Sequence, residues 1–483
     1  MRIVVTFLLN AGLNFAVGLV IASLLGPTSY GHYAVWASTG ALLATGLFDW
    51  LRLSTARFYG DAQQQAAPAL RPTLDATYSV FIALLVGGGV LALAVPGFGL
   101  TAALVGVVVF TAVANGAFDF RTALARARFR DRDYAVLVIG KGALGLACAA
   151  AAALMTHEPI VVLAAQAGGT LLATLPVRRS LADRSRTDKS RVKPEPQLVR
   201  RFATYGLPVV AANVLFQSIL LMNRSAAAAT FGFAAAGHLS LATDTELRIL
   251  LSMGAAIDVL LFQLAVRSEA MGGQQAAAAQ VRTNIVHVAA VLLLLAIGFA
   301  ATLPAFAALV VPIHFQDGFA PLALVILPGI TLFCLGQFAI NPVFQMARRT
   351  APIIAGALLS AAVDALGLAL MPASAGPLGI AAIHSVSLGL GTVLLTGLAL
   401  KNPLVRPSLR DLFGLLAASV VTAAALWPLR ALPSPVIVLA AAALVGPSIY
   451  GAMVLLFDVG DFRRHALALY TRCRPRPARE GLA

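Results

Sequence analysis

Four basic residues stand in or at the ends of long apolar runs of this chain: Arg52, Lys141, Arg224 and Arg248. A charge at mid-membrane depth costs on the order of 3 kcal/mol even on the lenient insertion scale, so ionisable residues there are functional candidates. Arginine offers a planar fork and lysine a point charge, both suited to phosphate oxygens. Three acids, Asp244, Glu246 and Asp364, share these runs and are candidates for coupling proton or sodium entry to movement of a carrier. Other chemistry is not signalled. Cys148, Cys334 and Cys473 lack metal or redox spacing, and the chain has no Walker motif, nucleophile elbow or HExxH, so no metal, cofactor or ATP site is expected.

Each candidate also has a plainer reading. Arg52 follows Asp49 by three positions and Arg248 follows Asp244 by four, the spacing of neutralised helix pairs. Lys141 is near enough to a helix end to snorkel, and Arg224 can be an ordinary loop charge at the outer end of its segment. Glu246 is two positions from each neighbour, about 200° around a helix, so it cannot share their face. An acid such as Glu246 or the more isolated Asp364 can equally sit protonated in a helix interface. His32 and His238 suit packing, His287 and His384 suit hydrogen bonding within a bundle, and the intramembrane asparagines suit interhelical bridging.

The elements that must position these residues are membrane helices. Of 483 residues 59% are hydrophobic and 11% charged, with mean hydropathy +0.87, which leaves too little polar surface for a water-soluble globule. A hydrocarbon core about 30 Å thick takes roughly 20 helical residues. On that length fourteen segments are expected, at residues 3–25, 33–56, 74–95, 100–118, 134–155, 160–177, 202–222, 237–262, 284–307, 319–346, 351–371, 378–400, 412–429 and 436–457. The first is read as a retained helix rather than a signal peptide. With both termini cytoplasmic, every Lys and Arg outside the four candidates and Arg430 falls on the inner side, so the net charge of +15 reflects topology rather than nucleic-acid binding. The expected organisation is an N-terminal six-helix bundle (1–177), a basic cytoplasmic linker (178–201), a second six-helix bundle (202–400), an extra helix pair (401–457) and a basic cytoplasmic tail (458–483) with an apolar face for the inner membrane surface.

An internal repeat supports two halves. Residues 25–36, LGPTSYGHYAVW, return in degraded form at 231–242, FGFAAAGHLSLA, so that Gly26, Gly31 and His32 match Gly232, Gly237 and His238 at one constant offset. Corresponding short connections of this kind mark internally repeated transporters. They are expected to be tight turns fixing the mouths of the two halves.

The run from Asn14 through Gly18 to Trp36 resembles the opening of bacterial oligosaccharide flippases of the polysaccharide transporter family, in the multidrug/oligosaccharidyl-lipid/polysaccharide exporter superfamily, where an LG-x-x-x-YG-x-Y connection joins the first two helices. Gly206-Leu207-Pro208, Asn223-Arg224, the Gly232 to Gly237 connection and the GPLGIAA run from Gly376 to Ala382 continue the resemblance over the first twelve segments. The extra pair after Lys401 is present in only some members; in the lipid II flippase branch it helps hold the lipid tail. The resemblance implies an all-α polytopic protein with two pseudo-symmetric six-helix bundles around a central cavity that opens alternately to each side. It further implies that an undecaprenyl-pyrophosphate-linked oligosaccharide or related lipopolysaccharide or exopolysaccharide precursor crosses the bacterial inner membrane, with membrane lipids and other polysaccharide-assembly proteins as partners.

Two other classes compete. A multidrug and toxin extrusion-type cation antiporter shares the twelve-helix plan but should line its path with carboxylates and aromatics, whereas bases prevail here and aromatics are 7%. A membrane enzyme of polysaccharide assembly would need a folded outer loop, and the expected outer loops are short. A transporter that makes and breaks no bonds is therefore expected.

Overall fold

Apolar runs of helical length become helices. The computed structural model describes residues 2–60, 67–95, 100–181, 193–347 and 349–463, and no strand occurs among them. The elements are α1 (Arg2–Phe58), α2 (Leu70–Ala94), α3 (Ala102–Ala127), α4 (Asp131–Thr156), α5 (Pro159–Leu172), α6 (Pro196–Phe231), α7 (Phe233–Val310), α8 (Gln316–Leu335), α9 (Asn341–Met346), α10 (Ala351–Leu370), α11 (Gly376–Ala399), α12 (Leu409–Leu426) and α13 (Pro435–Leu456). Among the described residues eleven helices are long and apolar enough to cross a membrane, and α5 is a shorter apolar helix. The chain is an all-α, multi-pass membrane protein.

The expected turn at residues 25–36 is a single kink. Gly26 alone leaves helical geometry, at φ 71°, and Pro27 begins the second arm of α1 at once. Glycine supplies the left-handed φ at no steric cost, and proline suits the first helical position because it has no N–H to lose. The repeat behaves alike: Gly232, at φ 88°, ends α6, its N–H on the carbonyl of Ala228 at 3.1 Å, and α7 starts at the next residue. The Gly-His pairs thus lie inside helices, one turn past each kink.

Helix ends also move relative to the sequence reading. α6 starts at Pro196, inside the expected linker, and runs through residues 225–230 (SAAAAT) to Phe231, well past the expected end at 222. Alanine is the strongest helix former, which outweighs the low hydropathy of that stretch. The expected segment at 319–346 is interrupted by a π-helical turn, Gly336–Ile340, just before Pro342, whose ring cannot continue an unbroken α-helical ladder. Residues 182–192 of the basic linker and 464–483 of the tail, with Cys473, lie outside the described residues.

The chain forms two compact units. One comprises Met1–Ser252, Val310–Ile330 and Arg349–Leu395; the other comprises Met253–Leu309, Thr331–Arg348 and Thr396–Ala483. Phe48, Leu51, Tyr59, Leu74, Phe118 and Phe202 form the core of the first unit. There α6 approaches α1 so closely at Gly206 that a Cβ would lie 2.6 Å from the Trp50 carbonyl oxygen. Small residues let backbones meet in this way where lipid supplies no hydrophobic drive between helices.

In the second unit α12 and α13 pack on residues 286–290 of α7 through Leu415, Ala418, Tyr450 and Val454. Polar clasps hold this hairpin at both ends. Ser408 and Asp411 form a capping box, with Asp411 also accepting the Gly460 N–H at 2.8 Å, while Arg430 donates to the carbonyls of Ala300 and Ala301 at 2.8 Å each. His287 bonds within this unit, its Nε2 3.2 Å from the Gly460 carbonyl oxygen.

Gly206→Ala should cost about 1–3 kcal/mol as an overpacking change, read as a lower melting temperature of the detergent-purified protein. Gly87→Ala on the exposed face of α2, where a Cβ meets nothing within 4 Å, should leave that temperature unchanged or raise it slightly.

Candidate functional site

The four cations divide into two that are paired with carboxylates and two that are not. Arg52 sits on the second arm of α1 and grips Asp49 with both forks, Nε to Oδ1 at 3.0 Å and Nη2 to Oδ2 at 3.2 Å, as the i,i+3 spacing predicts. Lys141 on α4 donates to Asn115 Oδ1 at 3.3 Å and lies 4.4 Å from the centroid of the Phe118 ring, both on α3. It reaches across the bundle rather than snorkelling. Asp119 lies within electrostatic reach of Lys141, Asp49 and Arg52, so these side chains share one field.

The expected Asp244/Arg248 pair does not form. Arg224 takes Asp244 instead and also donates to Ser38 Oγ and to the Ala34 carbonyl oxygen, the last at 3.3 Å. The reason lies in the length of α6. Because the helix continues to Phe231, Arg224 is two turns inside it and only 7% exposed, not in an outer loop. A buried guanidinium must collect a full set of acceptors, and Asp244 is the carboxylate within its reach.

Arg248 is thereby released. Its Nη1 donates to the main-chain carbonyl of Asn14 on the first arm of α1, and it packs where Gly18 leaves room, since a Cβ there would lie 2.9 Å from Nη1. Tyr30 and Tyr33 lie within electrostatic reach of Arg224, Asp244 and Arg248, and the Tyr33 hydroxyl donates to Gln166 Oε1 at 2.6 Å. Neither Lys141 nor Arg248 makes an ion pair with a carboxylate among the described residues.

The acids also sort themselves. Asp244 is taken by Arg224. Glu246 is 1% exposed, and neither carboxyl oxygen has a hydrogen-bond partner among the described residues. Asp364 is not isolated as the sequence implied. It lies at the centre of a buried polar cluster from three helices: Asn223 (α6), Asp364 (α10), and His384 and Ser387 (α11). Ser387 Oγ donates to Asp364 Oδ1 at 3.0 Å.

The Asn223 amide nitrogen faces three acceptors, Asp364 Oδ1 at 3.0 Å, Asp364 Oδ2 at 2.9 Å and the Ile219 carbonyl at 2.9 Å, and lies 3.2 Å from His384 Nδ1. An amide nitrogen carries two hydrogens, so acceptors outnumber donors at this point. The arrangement is suited to a shared cation. Ser387 was absent from the sequence candidates; the signal available for it was its polarity one turn from His384 in an apolar helix.

The repeated Gly-His pairs meet within the first unit. A Cβ on Gly31 would collide with the Phe233 carbonyl, and one on Gly237 would collide with the Pro27 carbonyl, so the two connections touch main chain to main chain. His32 stacks on Phe233 with ring centroids 3.5 Å apart, and His238 packs on Phe315 at 5.0 Å. Both histidines serve packing, as expected from their positions.

A double-mutant cycle tests the partner exchange. Arg224→Ala and Asp244→Ala should show a coupling of about 1–3 kcal/mol in thermal stability, while Arg248→Ala and Asp244→Ala should be additive within about 0.5 kcal/mol. A strong Asp244/Arg248 coupling would restore the pair expected from spacing.

No family model matches the sequence, and no curated protein sequence matches it. Solved structures do resemble its fold. The lipid II flippase MurJ in an inward closed conformation aligns at 10% identity over 94% of this chain and 98% of its own, with TM-score 0.70. An inward-facing multidrug resistance MATE family transporter of the MOP superfamily aligns at 12% identity over 81% and 94%, with TM-score 0.55. A MATE transporter from Vibrio cholerae aligns at 13% identity over 83% and 96%, with TM-score 0.50. The chain has the fold that these flippase and MATE transporters share.

Proposed function

We propose that the chain is a flippase that carries a polyprenyl-pyrophosphate-linked oligosaccharide, or a related polysaccharide precursor, across the bacterial cytoplasmic membrane by alternating access, without bond chemistry. The observation that carries this reading is that Lys141 and Arg248 stand in membrane-spanning helices on neutral partners, an amide and a main-chain carbonyl. Cations held in this way keep their charge for an anion, and a pyrophosphate is the anionic part of such a substrate. Arg52, whose side chain is 36% exposed beside Asp49, is proposed as a third contact. The likeness to a lipid II flippase along nearly the whole chain supports the same class of substrate. Both termini are proposed to be cytoplasmic, with two six-helix halves and the α12/α13 pair as the added element.

Energy coupling is assigned to the cluster around Asp364. Of the three acids, it alone takes both a hydroxyl and an amide on its carboxyl, with the His384 ring against the same amide nitrogen, and a proton or sodium ion there would relieve the surplus of acceptors. Cation antiport is the second reading. Glu246, a buried acid with no hydrogen-bond partner among the described residues, favours it, because such an acid can exchange a proton for an organic cation.

Reconstituted proteoliposomes distinguish these readings. The parent protein should move a fluorescent polyprenyl-pyrophosphate sugar between leaflets, and Arg248→Gln or Lys141→Gln should slow it about tenfold or more, a loss of about 1.4 kcal/mol of interaction with the moving anion. Asp364→Asn should abolish its dependence on a proton or sodium gradient. Efflux of a dye cation with no movement of the lipid-linked sugar would establish the antiporter instead. In cells lacking the gene, mass spectrometry should find the polyprenyl-linked precursor accumulating on the inner leaflet.

A further inference from the structure

Asn223 and Arg224 are consecutive residues of α6, about 100° apart around the helix, and each is bound on a different side. Asn223 is 3% exposed and reaches Asp364 and His384 on α10 and α11. Arg224 reaches Ala34 and Ser38 on the second arm of α1 and Asp244 on α7. One turn of one helix therefore holds both the buried polar cluster and the tie between the two repeat connections.

The residues that Arg224 holds are not arbitrary. Ser38 stands seven positions after Gly31, and Asp244 stands seven positions after Gly237. Seven residues are two helical turns, so each lies beneath its glycine on the same helix face. Above them, the two glycines seal main chain against main chain, with no side chain at the contact to make up a gap. Such a contact survives only while the two helices keep their alignment, and Arg224 joins the two equivalent positions that set it.

We propose that the pair Asn223 and Arg224 is a joint that couples the state of the Asp364 cluster to closure of the Gly31/Gly237 contact, with Arg224 a positioning residue rather than a ligand of the transported molecule. A cation entering the cluster competes for Asp364 and His384, releases Asn223, and turns or shifts this section of α6. Arg224 then loses its reach to Ser38 and Asp244, and the glycine contact parts. In the opposite direction, closure presents Asn223 to the cluster. This inference does not depend on what is transported.

The test reads thiol access in the full-length protein in nanodiscs, with Cys148, Cys334 and Cys473 replaced by Ser and a single reporter, Ala236→Cys, beside Gly237. Ala236 is fully buried at the connection, so a polar maleimide should react slowly with the parent. Arg224→Ala should speed labelling about fivefold or more, and Arg224→Lys, which keeps the charge but cannot bridge, should lie between. Asp364→Ala makes no contact with the connection, yet should also speed labelling. Combined with Arg224→Ala it should add nothing further, because both act through one joint. Gly31→Ala should give the same rise with the Asp364 cluster intact. Should Arg224→Ala fail to yield monodisperse protein, Ser38→Ala and Asp244→Ala each remove one acceptor and should shift labelling in the same direction.

Unchanged labelling on loss of the Arg224 tie overturns the latch. No response to Asp364→Ala, or independent multiplication of the two effects, overturns the joint. Because no transport is measured, a failure here stands apart from a failure of the flippase assay, and success here leaves the substrate to that assay.

Discussion

A guanidinium inside a bilayer has to be met by fixed acceptors, and this demand at Arg224 orders much of the first unit. The residue sits within α6 because an alanine-rich run extends the helix past it. Once buried there, it draws Asp244 away from its own helical neighbour and takes a hydroxyl and a carbonyl from α1. The consequence for Arg248 is indirect. Left without Asp244, it settles on the Asn14 carbonyl beside Gly18, a position at which any side chain would collide with it. One buried charge therefore decides which other charge remains uncompensated.

The repeat gives this arrangement its symmetry and also its departure from it. Gly31 and Gly237 meet reciprocally, and the residues two turns below them are the two that Arg224 bridges. At the same constant offset, the counterpart of Arg224 in the first half is Gly18. A basic residue in one half thus faces an empty position in the other, which Arg248 fills. The two repeat copies keep the same framework at the glycines while the polar residues around them differ.

The polar groups also separate by partner. Lys141, Arg248 and Arg52 offer positive charge, whereas Asn223, Asp364, His384 and Ser387 form an acceptor-rich cluster from three helices. Asn223 and Arg224 adjoin in sequence and belong to different groups. Neighbours on one helical turn keep a fixed relative orientation, about 100° apart around the axis.

What the sequence determined by itself is local or periodic. Apolar run length gives membrane helices, the glycine-containing repeat gives two alike breaks at Gly26 and Gly232, and i,i+3 spacing gives the pair of Arg52 with Asp49. These follow from the geometry of one helix in hydrocarbon and need no knowledge of its neighbours. The kink at Gly26 was legible as a break but not as a single residue, since the helical continuation from Pro27 depends on how the arm packs. Only the tertiary structure decided the partners of Asp244 and Asp364. Asn223 and Asp364 are separated by 141 residues, and Arg224 and Ser38 by 186. Several side chains could have satisfied each of these groups on charge and hydrogen-bonding capacity alone, and the packing of the helices, through close backbone approach at small residues, selected among them.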